Sequence, residues 1–341
     1  MTRSTALSVL DLAMVRHDAS SHDALEETAT LALAADRLGY TRFWVAEHHN
    51  MPTVASTSPA VLISHVGART QRIRVGSGGV MLPNHSPFVI AEQFAMLEAL
   101  YPGRIDLGLG RAPGTDRGTA AALRRNMDGD EDERFPRDVL HVMSMLGDHR
   151  AEHSPPTGLI ATPAAASSPA VMLLGSSGFS AQLAGLLGLP FAFAHHFEMG
   201  GTLIAAEVYR EFFQPSRVLD EPYLIVTATT VVGPSQEKAD WLAAPSRLRR
   251  AGLRRGELHP LLPPDDALNH PAFPTDSAAL TAGLAGTADV VADGLTHLAA
   301  QTEASELMLY PVAYDVADRI GTLEELAIAF SLTPLETSPV H

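Results

Sequence analysis

Three stretches of this 341-residue chain carry side chains able to move a proton or hold an anion. In Tyr40–Asn50 the apolar run Phe43-Trp44-Val45-Ala46 breaks into Glu47-His48-His49-Asn50, and Met51-Pro52 then ends regular structure. Imidazole changes charge near neutral pH, so an acid beside two histidines suits general acid–base work. Solvated surface histidines are the bland alternative. Gly175-Ser176-Ser177-Gly178-Phe179 opens a helix, where free backbone N–H groups, two hydroxyls and the positive dipole end suit a phosphate. Ordinary serine capping explains the same residues without a ligand. Arg111, in Gly108-Leu109-Gly110-Arg111, can add a fixed charge to that anion or form a surface ion pair. Gly76-Ser77-Gly78-Gly79 strips side chains from a strand end, as either close approach of a flat ligand or a turn requires.

These stretches need a frame that brings them together, and the periodicity supplies one. Short apolar runs at 7–13, 41–46, 72–77, 103–108, 170–174, 190–194, 223–232 and 306–310 read as strands. Helical spacing follows each of them, as in Leu25, Ala29, Ala32, Ala35 and Leu38 closing at Gly39. Eight strand–helix units favour a closed (β/α)8 TIM barrel over an open sheet with exposed edges. No composition break marks a boundary, so residues 1–341 read as one barrel domain. Two excursions lie within it, 111–168 after strand 4 and 245–285 after strand 7. The second reads as loop from its Pro-Pro and Asp-Asp pairs. In a barrel the chemistry sits just after the strands, which is where Glu47–Asn50, Gly78-Gly79, Arg111, Ser176-Ser177 and His195-His196 fall.

Composition excludes several classes. A net charge of −15 argues against nucleic acid and against an anionic membrane surface. With no cysteine there are no disulfides, thiolate metal sites or cysteine nucleophiles. No apolar run reaches membrane-spanning length, and a cytoplasmic location is expected. Gly108, Gly110 and Gly114 miss the dinucleotide fingerprint spacing by one, with Pro113 where the helix should begin. Two rivals to an organic-cofactor enzyme are a metal hydrolase built on His48, His49, His85, His195 and His196, and a barrel that binds a phosphorylated cofactor without turnover. The histidine doublets are adjacent, so one of each pair points away, which weakens the metal reading.

The chain resembles the bacterial luciferase-like monooxygenase family along nearly its full length. Four ordered segments carry the likeness: Trp44–His49, Val75–Pro83 followed by His85, Gly103–Arg111, and Leu174–Gly178. The resemblance implies FMN across the barrel mouth. Its phosphate would lie at Arg111, Ser176 and Ser177, with Gly175, Gly178 and Phe179 completing that turn. It implies that Gly78, Gly79 and Val80 lie under the ring, with a non-proline cis peptide at Gly78–Gly79. His48 matches the catalytic histidine and is the expected acid–base group; Glu47 would orient an imidazole, and His49 would touch that histidine or the substrate. Gly110 stands where the luciferase catalytic subunit carries a reactive cysteine, so light emission is not expected.

The resulting expectation is a two-component monooxygenase. A separate flavin reductase supplies reduced FMN, O2 is the oxidant, a small organic molecule is the substrate, and 111–168 acts as a lid. Members of the wider superfamily use a deazaflavin for hydride transfer, an alternative that the residues leave open. Family members are usually homodimers, and helices 2 and 3 are apolar enough to meet a partner. No metal is expected.

Overall fold

The computed structural model describes residues 5–112, 114–123, 131–148, 159–197, 200–276 and 283–334. Eight parallel strands close a barrel: β1 (Ala6–Asp11), β2 (Arg42–Val45), β3 (Arg74–Met81), β4 (Ile105–Gly110), β5 (Ala170–Gly175), β6 (Phe191–Phe193), β7 (Leu224–Val232) and β9 (Glu306–Pro311). Neighbours pair in that order, and β9 returns to β1 with Ala6 opposite Glu306. A ninth strand, β8 (Leu284–Gly286), lies outside the ring and pairs only with the far end of β7, Thr230–Val232. Its three residues are too few to show a period, which is why the sequence gives no sign of it.

Helices surround the ring: α1 (Ser21–Leu38), α2 (Pro59–Gly67), α3 (Pro87–Leu100), α4 (Arg117–Leu123), α5 (Glu131–Met145), α6 (Gly178–Leu186), α7 (Thr202–Glu211), α8 (Gln236–Arg254), α9 (Pro264–Leu268), α10 (Ala288–Thr302) and α11 (Val316–Ala329). Local chemistry sets their ends. Ser20 and Asp23 form a capping box on α1, and Gly39 closes it in the left-handed conformation. The second excursion differs from its expected loop. α8 continues through Pro245 to Arg254, and α9 and β8 add regular structure beyond it. Proline ends the helical pattern when read locally, yet here packing of Leu242, Ala244 and Leu248 against buried neighbours carries the helix across it. In the first excursion α4 and α5 are helical, and 113, 124–130 and 149–158 lie outside the described residues.

Strand alternation splits the core into two layers. Phe43 and Val45 point outward under the helices, whereas Trp44 and Ala46 point into the barrel beside Leu10, Met172, Ile225 and Met308. The strand starts hold a buried ion network at the opposite end from the sequence-marked residues. Arg42 reaches both Asp106 and Glu306 at 2.7 Å, Trp44 donates to Asp106, and Tyr223 donates to Glu306. A cleft lined by Thr5, Tyr223 and Ser305 flanks this end, and the two cavities lined by strand-end residues lie at the other.

Candidate active site

Period two decides which member of the Glu47-His48-His49 cluster faces inward. His48 continues the parity of Trp44 and Ala46 and lines the cavity at the barrel mouth. Glu47 and His49 line neither of the two cavities described here. Glu47 is fully buried and accepts from the Met81 N–H at 3.0 Å, while His49 and His85 both reach its Oε1, at 2.7 and 2.8 Å. Burial opposes charge on this carboxyl, but the bonds from His85, His49 and Met81 outweigh it and hold its pKa below the usual range. Glu47 therefore orients His49 and His85 and ties the end of β2 to β3; it does not reach His48. The ligand atoms of Glu47, His49 and His85 also lie within 4.8 Å of one another, close enough for a metal. Both imidazole Nε2 atoms are already engaged by the same carboxylate oxygen, so the cluster is satisfied through hydrogen bonds alone.

The His48 tautomer follows from its partner. Nδ1 lies 3.3 Å from the Gly114 carbonyl, which can only accept, so Nδ1 carries the proton and Nε2 keeps a lone pair. Gly114 sits at φ +65°, and a Cβ there would come within 2.8 Å of the Glu47 carbonyl oxygen. Only glycine lets this turn approach so closely. Burial pushes the His48 pKa down, the Gly114 carbonyl opposes that, and the charge of Arg249 adds to the lowering.

The first cavity encloses about 870 Å³, counted to its open mouth. Trp44, Leu10 and Met308 form its floor, and Gly78-Gly79 forms one wall, joined by a cis peptide. At Gly79 a Cβ would stand 2.7 Å from the Gly108 carbonyl oxygen, so the wall is bare by necessity. Arg111, Gly175, Ser176 and Ser177 line the other end. Ser177 is the N-cap of α6 but makes no side-chain capping bond, so ordinary capping does not account for it. The Arg111 guanidinium stacks 4.4 Å over the Phe179 ring. Gly178 adds nothing to the lining, and Val80 is buried in the outer layer toward the helices.

A second cleft of about 1790 Å³, also counted to its mouth, adjoins the first. Leu12, His48, His196 and Phe197 line both, so the two spaces meet at the pair of histidines. Burial drives the His196 pKa down to about 3, helped by Arg250 and His48, and its buried Nδ1 has no hydrogen-bond partner. His196 was legible as a strand-end residue, but nothing in its spacing singled it out. The stretch Ser246–Arg254 of α8 lines the second cleft and was missed because it lay inside the expected loop. Its spacing of 246, 249, 250, 253 and 254 was the available signal.

A model of the luciferase-like monooxygenase family matches residues 6–305. The chain belongs to that family. As a member it is an oxidoreductase. A luciferase-like monooxygenase of Escherichia coli K12 is 42% identical over 326 residues, covering 94% of this chain and 96% of the relative. N-acetyl-S-alkylcysteine monooxygenase of Bacillus subtilis is 38% identical over 206 residues, 60% of this chain and 61% of the relative. Among solved structures, apo-MsnO8 has a TM-score of 0.87 at 36% identity, covering 97% of this chain and 100% of that one. More distant structures share the fold alone. One is the oxygenating constituent of 3,6-diketocamphane monooxygenase from Pseudomonas putida in complex with FMN, at 16% identity, TM-score 0.70 and coverage of 97% and 99%. Another is an F420-dependent secondary alcohol dehydrogenase, at 17%, TM-score 0.66 and coverage of 96% and 99%.

Proposed function

We propose that this luciferase-like monooxygenase is the oxygenating component of a two-component system, taking reduced FMN from a separate flavin reductase and using O2 on a small organic substrate. The observation that carries this reading is the pair of adjoining cavities that meet at His48 and His196. The first fits FMN. An unused N-cap hydroxyl, a second serine, an arginine and the open N-terminus of α6 converge at one end, the donor set a phosphate dianion needs. The bare Gly78-Gly79 wall over Trp44 leaves a slot for a flat ring system. When bound, the reduced cofactor supplies two electrons to dioxygen.

The remaining work falls to the chain. Arg111, Ser176 and Ser177 hold the phosphate, and Gly78-Gly79 sets how closely the ring approaches the barrel floor. His48, neutral and with Nε2 unprotonated, accepts or returns one proton where the two cavities join. Glu47, through His49 and His85, fixes the loop on which His48 sits. The apolar lining limits water around the reacting atoms, and the lid expected from 111–168 falls partly outside the described residues. The deazaflavin alternative rests on the fold shared with the F420-dependent dehydrogenase. Exposed Val61 on α2 and Val89, Met96 and Leu100 on α3 support assembly as a homodimer through that face. Among the described residues no helix is long and apolar enough to cross a membrane.

Fluorescence titration with oxidised and reduced FMN and with the deazaflavin is the first test, and tighter binding of the deazaflavin than of either FMN form would sink the reading. With reduced FMN bound, His48→Ala is expected to lower substrate oxidation by about 100-fold or more, the usual weight of a positioned acid–base group, while FMN affinity changes only a few-fold. Unchanged turnover would leave a cofactor-binding barrel without a proton-handling role for His48.

A further inference from the structure

Relatives do not fix what enters the second cleft. Its lining is mixed: Leu12, Met14, Met51, Leu261 and Val312 present an apolar surface, and one stripe of α8 faces them. That stripe is Ser246, Arg249, Arg250, Leu253 and Arg254, the i, i+3, i+4, i+7, i+8 spacing of one helical face. Three of its five positions are arginine, in a protein of net charge −15. The helix has further arginines, but they are spent locally: Arg247 pairs with Asp240 at 2.7 Å, and Arg255, the C-cap, faces Glu257 at 3.2 Å.

Arg249 is different. Its Nε, like those of Arg247 and Arg319, is buried without a hydrogen-bond partner, but those two make ion pairs and Arg249 forms none among the described residues. A cation at the end of a helix offsets the macrodipole, but Arg249 lies more than a turn before Arg254, where that effect has faded. Among the described residues one carboxylate lines the cleft, Asp11, and Arg319 holds it at 3.1 Å while also reaching Glu27 at 2.8 Å. Arg250 extends to Thr229 and Arg254 stands exposed at the rim. A buried guanidinium edge without a partner is costly, and a planar carboxylate is the group its fork accepts with two parallel bonds.

We propose that the substrate of this enzyme carries a carboxylate, held by Arg249 with Arg254 at the rim, and an apolar body lying against Met14, Met51 and Leu261. This inference rests on the monooxygenase reading for the word substrate, and on the cleft alone for the chemistry it selects. The anionic end is anchored on α8, so the apolar end is the part delivered toward His48 and His196. Oxidation is thereby directed to a carbon or heteroatom remote from the carboxylate.

Binding tests this without turnover. Isothermal titration of the full chain with octanoate and with octanamide compares a carboxylate with its neutral isostere of the same chain length. Octanoate is expected to bind at least tenfold more tightly, and Arg249→Gln to remove that preference. Arg249→Lys keeps the charge but loses the fork and retains part of it; Arg254→Gln, at an exposed position, weakens it without threatening the fold. Equal binding of the two probes, or a preference untouched by both Arg249→Gln and Arg254→Gln, overturns the proposal. So does loss of oligoglutamate-tailed deazaflavin binding in Arg249→Gln, because the arginines then serve a cofactor tail. FMN titration of the same samples keeps the two claims apart. Octanoate selectivity without flavin affinity sinks the monooxygenase reading alone, and flavin affinity without octanoate selectivity sinks this one alone.

Discussion

At the scale of single residues, the site turns on two neutral imidazoles. His196 is held at about 3 by burial, against an ordinary value of 6.5. Above 6.5 neither the folded nor the unfolded chain protonates it, and its full contribution to stability is present. Below 6.5 the unfolded chain takes up a proton that the fold refuses, so stability is lost as pH falls toward 3, by up to about 1.4 kcal/mol per pH unit. His48 is shifted in the same direction. Melting temperature measured from pH 7.5 to 4.5 should therefore fall more steeply in the native protein than in His196→Phe, which cannot protonate. Parallel curves would mean that this histidine is solvated and titrates normally. With both imidazoles neutral, the fixed positive charges around the two cavities are arginines: Arg111 in the first, and Arg319 with Arg249, Arg250 and Arg254 of α8 in the second.

At the scale of elements, the two ends of the barrel do different work. The strand starts are locked by Arg42 between Asp106 and Glu306, all three almost inaccessible to solvent. Arg42→Met would leave the buried Glu306 without its arginine, while Asp106 keeps Arg74 and Trp44, and removing one partner of such a buried pair costs about 3–5 kcal/mol. The double variant Arg42→Met, Glu306→Leu, which leaves Asp106 paired with Arg74, should recover much of that loss in chemical denaturation. If the single variant were the more stable of the two, the network would not be what holds this end. The strand ends are instead loops whose conformation is set by close contacts, such as Gly79 against Gly108 and Gly114 against Glu47. Stability is concentrated below and chemistry above, and this division lets the upper loops keep unpaired groups that a well-packed end would not tolerate.

At the scale of the whole molecule, α2 and α3 expose the apolar side chains Val61, Val89, Met96 and Leu100, the face through which the proposed homodimer would form. Light scattering is expected to give twice the 36.3 kDa chain mass, and Met96→Glu, an exposed position of α3, to shift it toward one. A monomeric native protein would refute this assembly. The overall acidity has a second consequence. A locally basic cleft inside a molecule of charge −15 draws small anions only at short range, so octanoate affinity should fall with added salt.

The sequence by itself determined the barrel, because eight apolar runs separated by helical spacing admit few other closed arrangements, and local patterns survive without knowledge of distant partners. It also placed His48, Gly78-Gly79, Arg111 and Ser176-Ser177 at strand ends, with His48 singled out by the family resemblance and its inward direction left to the structure. What only the tertiary structure decided depends on contacts between segments far apart in the chain. Glu47 turns to His49 and His85 across from β2 to β3, and Gly114 selects the His48 tautomer from the turn after β4. α8 runs through Pro245 because its buried face is worth more than the hydrogen bond proline removes, and only then do Arg249 and Arg254 come to face the site. A local pattern shows which residues could do chemistry, but partners and burial, which set charge and orientation, exist only once the chain has closed on itself.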